Sequence, residues 1–447
     1  MIFEPEYETL PQDQMRDLQG ARLRDLVAYV HARVPMYRDR LDAAGIAPGD
    51  IRDMGDITRL PITRKHDLRD HYPFGLLAVP REQVMRVHAS SGTTGKATVV
   101  AYTAKDVDLF ARVNARALAM AGAEPGMMLH NAYGYGLFTG GLGIHYGGER
   151  LGMAVVPVSG GMTERQLTLI ADFRPEVITC TPSYALTLAT ELRRRGVAPD
   201  DISLRFALLG AEPWTDGMRR QIDAALGVRS TNIYGLSEII GPGVSNECVE
   251  ARDGSHVMED HFYPEILDPD TGEPLPDGQE GVLVITTLTK EALPLLRYWT
   301  GDITSLVRGT CACSRTLVRM RLIKGRTDDM IIVRGINVYP SQVESVLSRF
   351  EELAPHYRVV VSRDGTLDEI SVEAEVSESF FREVGVEILS DDAVATDHRL
   401  QQLRARISGL IRDLIGVGMG VRLVPPGDAP RSEGGKLNRV VDRRPRG

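Results

Sequence analysis

Cysteine is scarce in this chain: four among 447 residues, at Cys180, Cys248, Cys311 and Cys313. So few cannot staple a protein of this size, which excludes a disulfide scaffold and points to a reducing cytoplasm. An excess of basic charge is missing too. With 61 Asp and Glu against 52 Lys and Arg, the net charge of −9 argues against a nucleic-acid binder. The short basic stretch Arg443-Arg444-Pro445-Arg446 reads as a solvated tail. No uninterrupted apolar run is long enough to cross a bilayer. The opening residues Met1-Ile2-Phe3-Glu4-Pro5-Glu6 have neither a basic nor an apolar signal region, so no secretory leader is expected. Internal repeats and long low-complexity segments are also lacking. What remains has the ordinary composition of a globular enzyme, on a chain too long for one core.

Periodicity supplies the architecture. Within 15–38, Leu18, Leu23, Leu26, Val27, Val30 and Val34 recur at helical spacing, predicting one amphipathic helix before Pro35. A β-branched strand over 98–103 precedes an alanine-rich helix over 104–121. Strands and helices then alternate: a buried strand at 153–158, a helix at 164–173, a strand at 177–180 and a helix at 183–195. A strand at 204–209 and a helix at 215–226 follow. Such alternation predicts an α/β fold, its largely parallel sheet covered by helices. From about 244 the chain turns rich in Gly, Pro and Asp, predicting a β-rich subdomain over 244–326. A further break near Gly325-Arg326-Thr327-Asp328-Asp329 sets off a small α+β unit. The expected domains are therefore 1–326 and 327–447.

Five stretches carry chemistry. Ser90-Ser91-Gly92-Thr93-Thr94-Gly95-Lys96 packs hydroxyls, glycines and a lysine into seven residues, which suits an anion cradle as well as a polar turn. It is not a Walker A loop, because Ser90 stands where that motif needs glycine and Ala97 where it needs Ser or Thr. Tyr234-Gly235-Leu236-Ser237-Glu238 follows a strand. There an aromatic can cover a purine and a carboxylate can hold magnesium, although a plain strand-to-loop junction looks the same. Tyr298-Trp299-Thr300-Gly301-Asp302 sets an acid after a turn, where exposure would let it accept two ribose hydroxyls; the plainer reading is a β-turn Asp. The run from Gly325-Arg326 to Tyr339-Pro340 is the fourth. Gly434-Gly435-Lys436-Leu437-Asn438-Arg439 is the fifth, a lysine on a glycine stalk or an idle tail lysine.

In this order and spacing, the five resemble the core motifs of the adenylate-forming superfamily: acyl-CoA synthetases, peptide-synthetase adenylation domains and luciferases. The likeness spans Ser90 to Arg439 and is strongest to the phenylacetate–CoA ligase-like branch. There Ala132-Tyr133-Gly134-Tyr135-Gly136-Leu137-Phe138, Tyr146-Gly147-Gly148-Glu149-Arg150, Thr181-Pro182-Ser183-Tyr184 and Thr289-Lys290-Glu291-Ala292-Leu293-Pro294 also look similar. The resemblance implies an ATP-dependent aryl-acid ligase that forms an aryl-adenylate, releases pyrophosphate and passes the aryl group to the thiol of CoA. The alternative acceptor is a carrier-protein phosphopantetheine supplied in trans, since no carrier domain follows Gly447. A catalytically silent nucleotide-binding regulator is the third reading, opposed by the intact Lys436, Glu238 and Asp302.

The resemblance also implies roles. Residues Ser90, Ser91, Gly92, Thr93, Thr94, Gly95 and Lys96 would hold the β- and γ-phosphates, with magnesium at Glu238. Tyr234, beside Gly235, would stack on adenine, and Gly210, Ala211, Glu212 and Pro213 would line its edge. Asp302 and Arg326 would hold the ribose, Lys436 would bridge the acyl carboxylate and the α-phosphate, and Asp328 would be the hinge. Tyr135, Gly136 and Phe138 would line the aryl pocket, although they could equally be core. Trp299 stands where an arginine is common and Ala97 where a proline is usual. Separately, Cys248, His256, Cys311 and Cys313 supply a tetrahedral set for structural zinc, with His261 as the alternative fourth ligand. Cys180, in an apolar strand, reads as a core residue. A homodimer is left open, and neither nucleic acid nor membrane is an expected partner.

Overall fold

The computed structural model describes residues 1–90, 98–327, 331–333, 336–364, 367–386, 389, 391–431 and 439–443. They group into two compact units that interleave along the chain. The first comprises 1–180, 200–211 and 228–323; the second comprises 181–199, 212–227 and 324–447. The expected boundary at 326/327 is drawn along the chain, whereas helices Pro182–Arg194 and Asp216–Leu226 group with the C-terminal segment.

A nine-stranded sheet organises the first unit. Its centre is parallel, as the alternation predicts. Strand Met128–Asn131 lies between Ala154–Val156 and Val177–Cys180, followed by Phe206–Gly210 and Arg229–Tyr234. Beyond Tyr234 the direction reverses, and Ser245–Glu247, Ser255–Val257, Arg319–Met320 and Leu306–Val307 complete the sheet in antiparallel pairs. Part of the expected β-rich subdomain thus extends the main sheet. The rest, Phe262–Leu267, Gly281–Thr287 and Tyr298–Thr304, forms an antiparallel sheet of its own. The expected buried strand at 153–158 is shorter and sits at an edge, with Ala154 exposed.

The expected helix before Pro35 is Gln12–Arg33, and a second helix, Pro35–Ala43, follows it at once. Val34 is extended because the residue before proline is pushed out of the helical region, and Pro35 then opens the next helix, where its missing N–H costs nothing. Leu23, Leu26, Val27 and Val30 still bury the predicted face, each contributing about 1.5–3 kcal/mol. Helix Gly140–Leu151 lies close against helix Ala104–Met120 because its inward positions are glycine. A Cβ on Gly143 would meet the Phe110 ring at 2.3 Å, and one on Gly147 would meet Asn114 at 2.4 Å.

In the second unit, strands run in the order Gly420–Val424, Leu367–Val376, Leu353–Asp364, Val440–Asp442. Helices Pro340–Leu347 and His398–Ile415 pack on this sheet through Val343, Val346, Leu403, Ile407 and Ile411. No helix among the described residues is long and apolar enough to cross a membrane.

Candidate functional site

Parallel strands share one carboxyl end, and the connections leaving it form a natural crevice. Eight of the predicted positions, on three strands, follow directly from that geometry. Strand Met128–Asn131 feeds the loop with Tyr135, Gly136 and Phe138; Phe206–Gly210 ends in Gly210 and Ala211; and Arg229–Tyr234 ends at Tyr234 and leads into Gly235 and Glu238. Gly210 must be glycine, since a Cβ would lie 2.3 Å from the Ile233 carbonyl oxygen. Gly235 must be too, with Gly241 Cα 2.6 Å from the place of its Cβ. Ala211 adopts φ +71°, a conformation that turns the chain sharply out of the sheet.

Asp302 joins this end from the other sheet of the unit. The Tyr234 hydroxyl donates to its Oδ2 at 2.6 Å, while its own N–H donates to Thr300 Oγ1 at 3.0 Å. The sequence predicts an exposed acid after a turn; the structure puts Asp302 inside strand Tyr298–Thr304, 4% exposed. The residue that turns there is Gly301, at φ +83°. Trp299, the departure from the family pattern, lies beneath the Arg64 guanidinium at 4.3 Å from its ring centroid, so a stacked cation fills that neighbourhood.

Glu238 is buried in a single 3₁₀ turn, Ser237–Ile239. Tyr298 donates its hydroxyl to Glu238 Oε1 at 3.4 Å, and Lys290 donates from Nζ to the Glu238 carbonyl oxygen at 3.0 Å. Burial pulls Lys290 down to about 8. Neither Tyr298 nor Lys290 was singled out from sequence. The usable signal for Lys290 is a lone cation leading into the apolar run 292–296.

Asn131, not among the expected site residues, is the hub of the loop that carries Tyr135, Gly136 and Phe138. It donates to the Tyr135 hydroxyl at 2.7 Å and to the Gly141 carbonyl at 2.8 Å, and it accepts from Thr179 Oγ1 at 3.0 Å. The Tyr135 hydroxyl also reaches His145 Nδ1 at 3.2 Å, and burial pushes it up to about 12, so it stays a neutral phenol. Phe138 is exposed, its ring packed on Gly140, where a Cβ would meet it at 2.4 Å.

Glu212, Pro213 and Arg326 belong to the second unit. Glu212 Oε1 accepts from the Ser183 N–H at 2.6 Å, Pro213 is exposed, and Arg326 lies in the short strand Gly325–Arg326. Ser90 ends strand Arg86–Ser90. Ser91, Gly92, Thr93, Thr94, Gly95, Lys96, Asp328 and Lys436 lie outside the described residues.

The cysteine set converges. One ligand atom from each of Cys248, His256, Cys311 and Cys313 lies within 4.8 Å of the others. Cys248 Sγ is 3.7 Å from Cys311 Sγ, and Cys313 Sγ is 3.5 Å from His256 Nε2. Zinc bonds of ~2.3 Å to sulfur and ~2.0 Å to nitrogen would give tetrahedral edges of about 3.8 and 3.5 Å. Hydrogen bonding from His256 lowers the Cys311 thiol, and hydrogen bonding from Cys248 lowers that of Cys313. The set can therefore hold one tetrahedral ion. His261 is not part of it; its Nδ1 pairs with Thr289 Oγ1 at 2.8 Å. Cys180 is buried in its strand, as expected.

A family model described as "AMP-binding enzyme" matches residues 63–289, and one for the AMP-binding enzyme C-terminal domain matches 335–444. The chain is similar to the phenylacetate-coenzyme A ligase of Thermus thermophilus, at 67% identity over 99% of this chain and 100% of that one. It is similar to the Escherichia coli phenylacetate-coenzyme A ligase at 50% identity, covering 98% and 97%. Among solved structures it is similar to 2-hydroxyisobutyryl-CoA ligase in the postadenylation state with 2-HIB-AMP. The TM-score is 0.90 at 28% identity, over 98% of this chain and 91% of that one.

Proposed function

The chain belongs to the adenylate-forming AMP-binding enzyme family, in its phenylacetate–CoA ligase-like branch, and from that premise we propose that it ligates an aryl carboxylic acid to CoA at the expense of ATP. A free carboxylate has no leaving group. Its oxygen attacks the α-phosphate of ATP, pyrophosphate departs, and an aryl-adenylate remains. The thiol of CoA then attacks the acyl carbon and AMP leaves. One observation carries the reading. Tyr234, Glu238 and Asp302 gather at the carboxyl end of a parallel sheet, in a chain that matches known ligases over nearly its whole length. CoA is favoured over a carrier protein because the relatives at 67% and 50% identity are CoA ligases.

The roles follow the geometry where it is available. The hydrogen bond to Asp302 fixes the Tyr234 ring, which would offer a flat face to adenine, and Gly210, Ala211, Glu212 and Pro213 would border the base. Asp302, with Arg326, would hold the ribose. The Ser90–Lys96 loop would grip the departing pyrophosphate. Lys436 would supply positive charge where the carboxylate meets the α-phosphate, two anions that repel until compensated. Magnesium would be held by Glu238, its chemistry being to offset charge on the phosphates. Tyr135, Gly136 and Phe138 would accept the aryl ring, and residues 327–447 would turn about Asp328 between the two half-reactions. Zinc would be held by Cys248, His256, Cys311 and Cys313 as a structural ion, and thiols of this kind suit a reducing cytoplasm. Pyrophosphate exchange into ATP, measured across a panel of phenylacetates, benzoates and bicyclic aryl acids, tests the first half-reaction. Exchange driven by at least one aryl acid is expected; no exchange with any acid contradicts the reading.

A further inference from the structure

Lys290 takes no part in the roles above, yet it is 2% exposed. Taking an ammonium out of water costs several kcal/mol unless its surroundings compensate, and an apolar side chain of similar size is often neutral or stabilising in its place. A lysine kept in such a position calls for a reason other than stability.

What surrounds it suggests one. The base of the side chain is immobilised: Asp106, in the first turn of helix Ala104–Met120, accepts from the N–H groups of Glu291 at 2.7 Å and Ala292 at 2.8 Å. Its Nζ lies over the Tyr102 ring, 5.1 Å from the centroid. The tip donates to the Glu238 carbonyl oxygen at 3.0 Å. Tyr102 also points its hydroxyl at the Ser237 carbonyl, 3.5 Å away, and Tyr298 approaches the Glu238 carboxylate from the other side. Lys290 is a strut between a helix N-terminus and the main chain of the turn that carries Glu238. The negative charges acting on it are those of Asp106 and Glu238.

We propose that Lys290 is a positioning residue for the adenylation step, bracing the Glu238 main chain so that its carboxylate keeps one orientation toward the metal. This rests on the reading of Glu238 as the magnesium ligand. The test compares Lys290→Met, Lys290→Arg and Glu238→Gln in the full chain. The magnesium dependence of aryl-acid-driven pyrophosphate exchange is measured alongside the KM for the acid and thermal unfolding. Supporting groups behind a metal ligand typically carry a 10–100-fold effect on metal affinity. Lys290→Met is therefore expected to raise the half-saturating magnesium concentration about 10-fold or more, with the acid KM and Tm held. Lys290→Arg, which keeps donor and charge, should recover most of that loss. Unchanged magnesium dependence in Lys290→Met, with Glu238→Gln raised, overturns the strut while leaving the Glu238 reading intact. Unchanged dependence in Glu238→Gln overturns that reading itself. Should Lys290→Met fail to fold, Lys290→Gln replaces it under the same criteria.

Discussion

Cys311 and Asp302 show how much a single side chain's meaning depends on company that sequence does not reveal. A Cys-x-Cys turn is a weak signal, but here it meets Cys248, just past strand Ser245–Glu247, and His256, within strand Ser255–Val257, at spacings suited to one tetrahedral ion. Purified protein is expected to carry about one zinc per chain, a structural site of this type contributing directly to folding. Cys311→Ser should lose the metal and lower Tm. Metal analysis with calorimetry checks this, and a zinc-free wild type as stable as a zinc-supplemented one would contradict it. The position of Asp302 in its motif was legible from sequence. Its burial was not, because a strand containing Gly301 at φ +83° reads as a turn when only residue types are seen. His261 was a fair alternative by type, and only the fold turns it toward Thr289.

At the scale of elements, the alternating strands and helices were legible because buried parallel strands and amphipathic helices have different periods. The helix end before Pro35 was legible from the proline, but the second helix that Pro35 opens was not. The edge position of Ala154–Val156 was not legible either, since strand order is a property of pairing. Glycine carries a more specific message. Within helix Gly140–Leu151 the glycines permit contact with helix Ala104–Met120, whereas Gly409 in helix His398–Ile415 faces open space. Gly143→Ala should destabilise by about 1–3 kcal/mol through overpacking against Phe110. Gly409→Ala should instead stabilise by roughly 0.5–1 kcal/mol, through helix propensity alone. Urea unfolding of both variants measures this, and equal effects would mean that Gly143 is not a packing requirement.

For the whole molecule, the α/β class and the ligase reading were available from sequence because alternating elements and five motifs in order run from Ser90 to Arg439. The individual residues that support the site were not. Tyr298 and Lys290 act through Glu238, 60 and 52 positions away, and Asn131 through Thr179, 48 positions away, partners that only the folded unit brings close. The chain joins an aryl acid to CoA through an adenylate. The most direct test is a reaction of the full chain with ATP, magnesium, an aryl acid that supports exchange, and either CoA or a holo-carrier protein, with AMP and thioester quantified together. AMP and aryl-CoA are expected one for one, with little thioester on the carrier. Thioester on the carrier with none on CoA, or AMP release without any thioester, would contradict it.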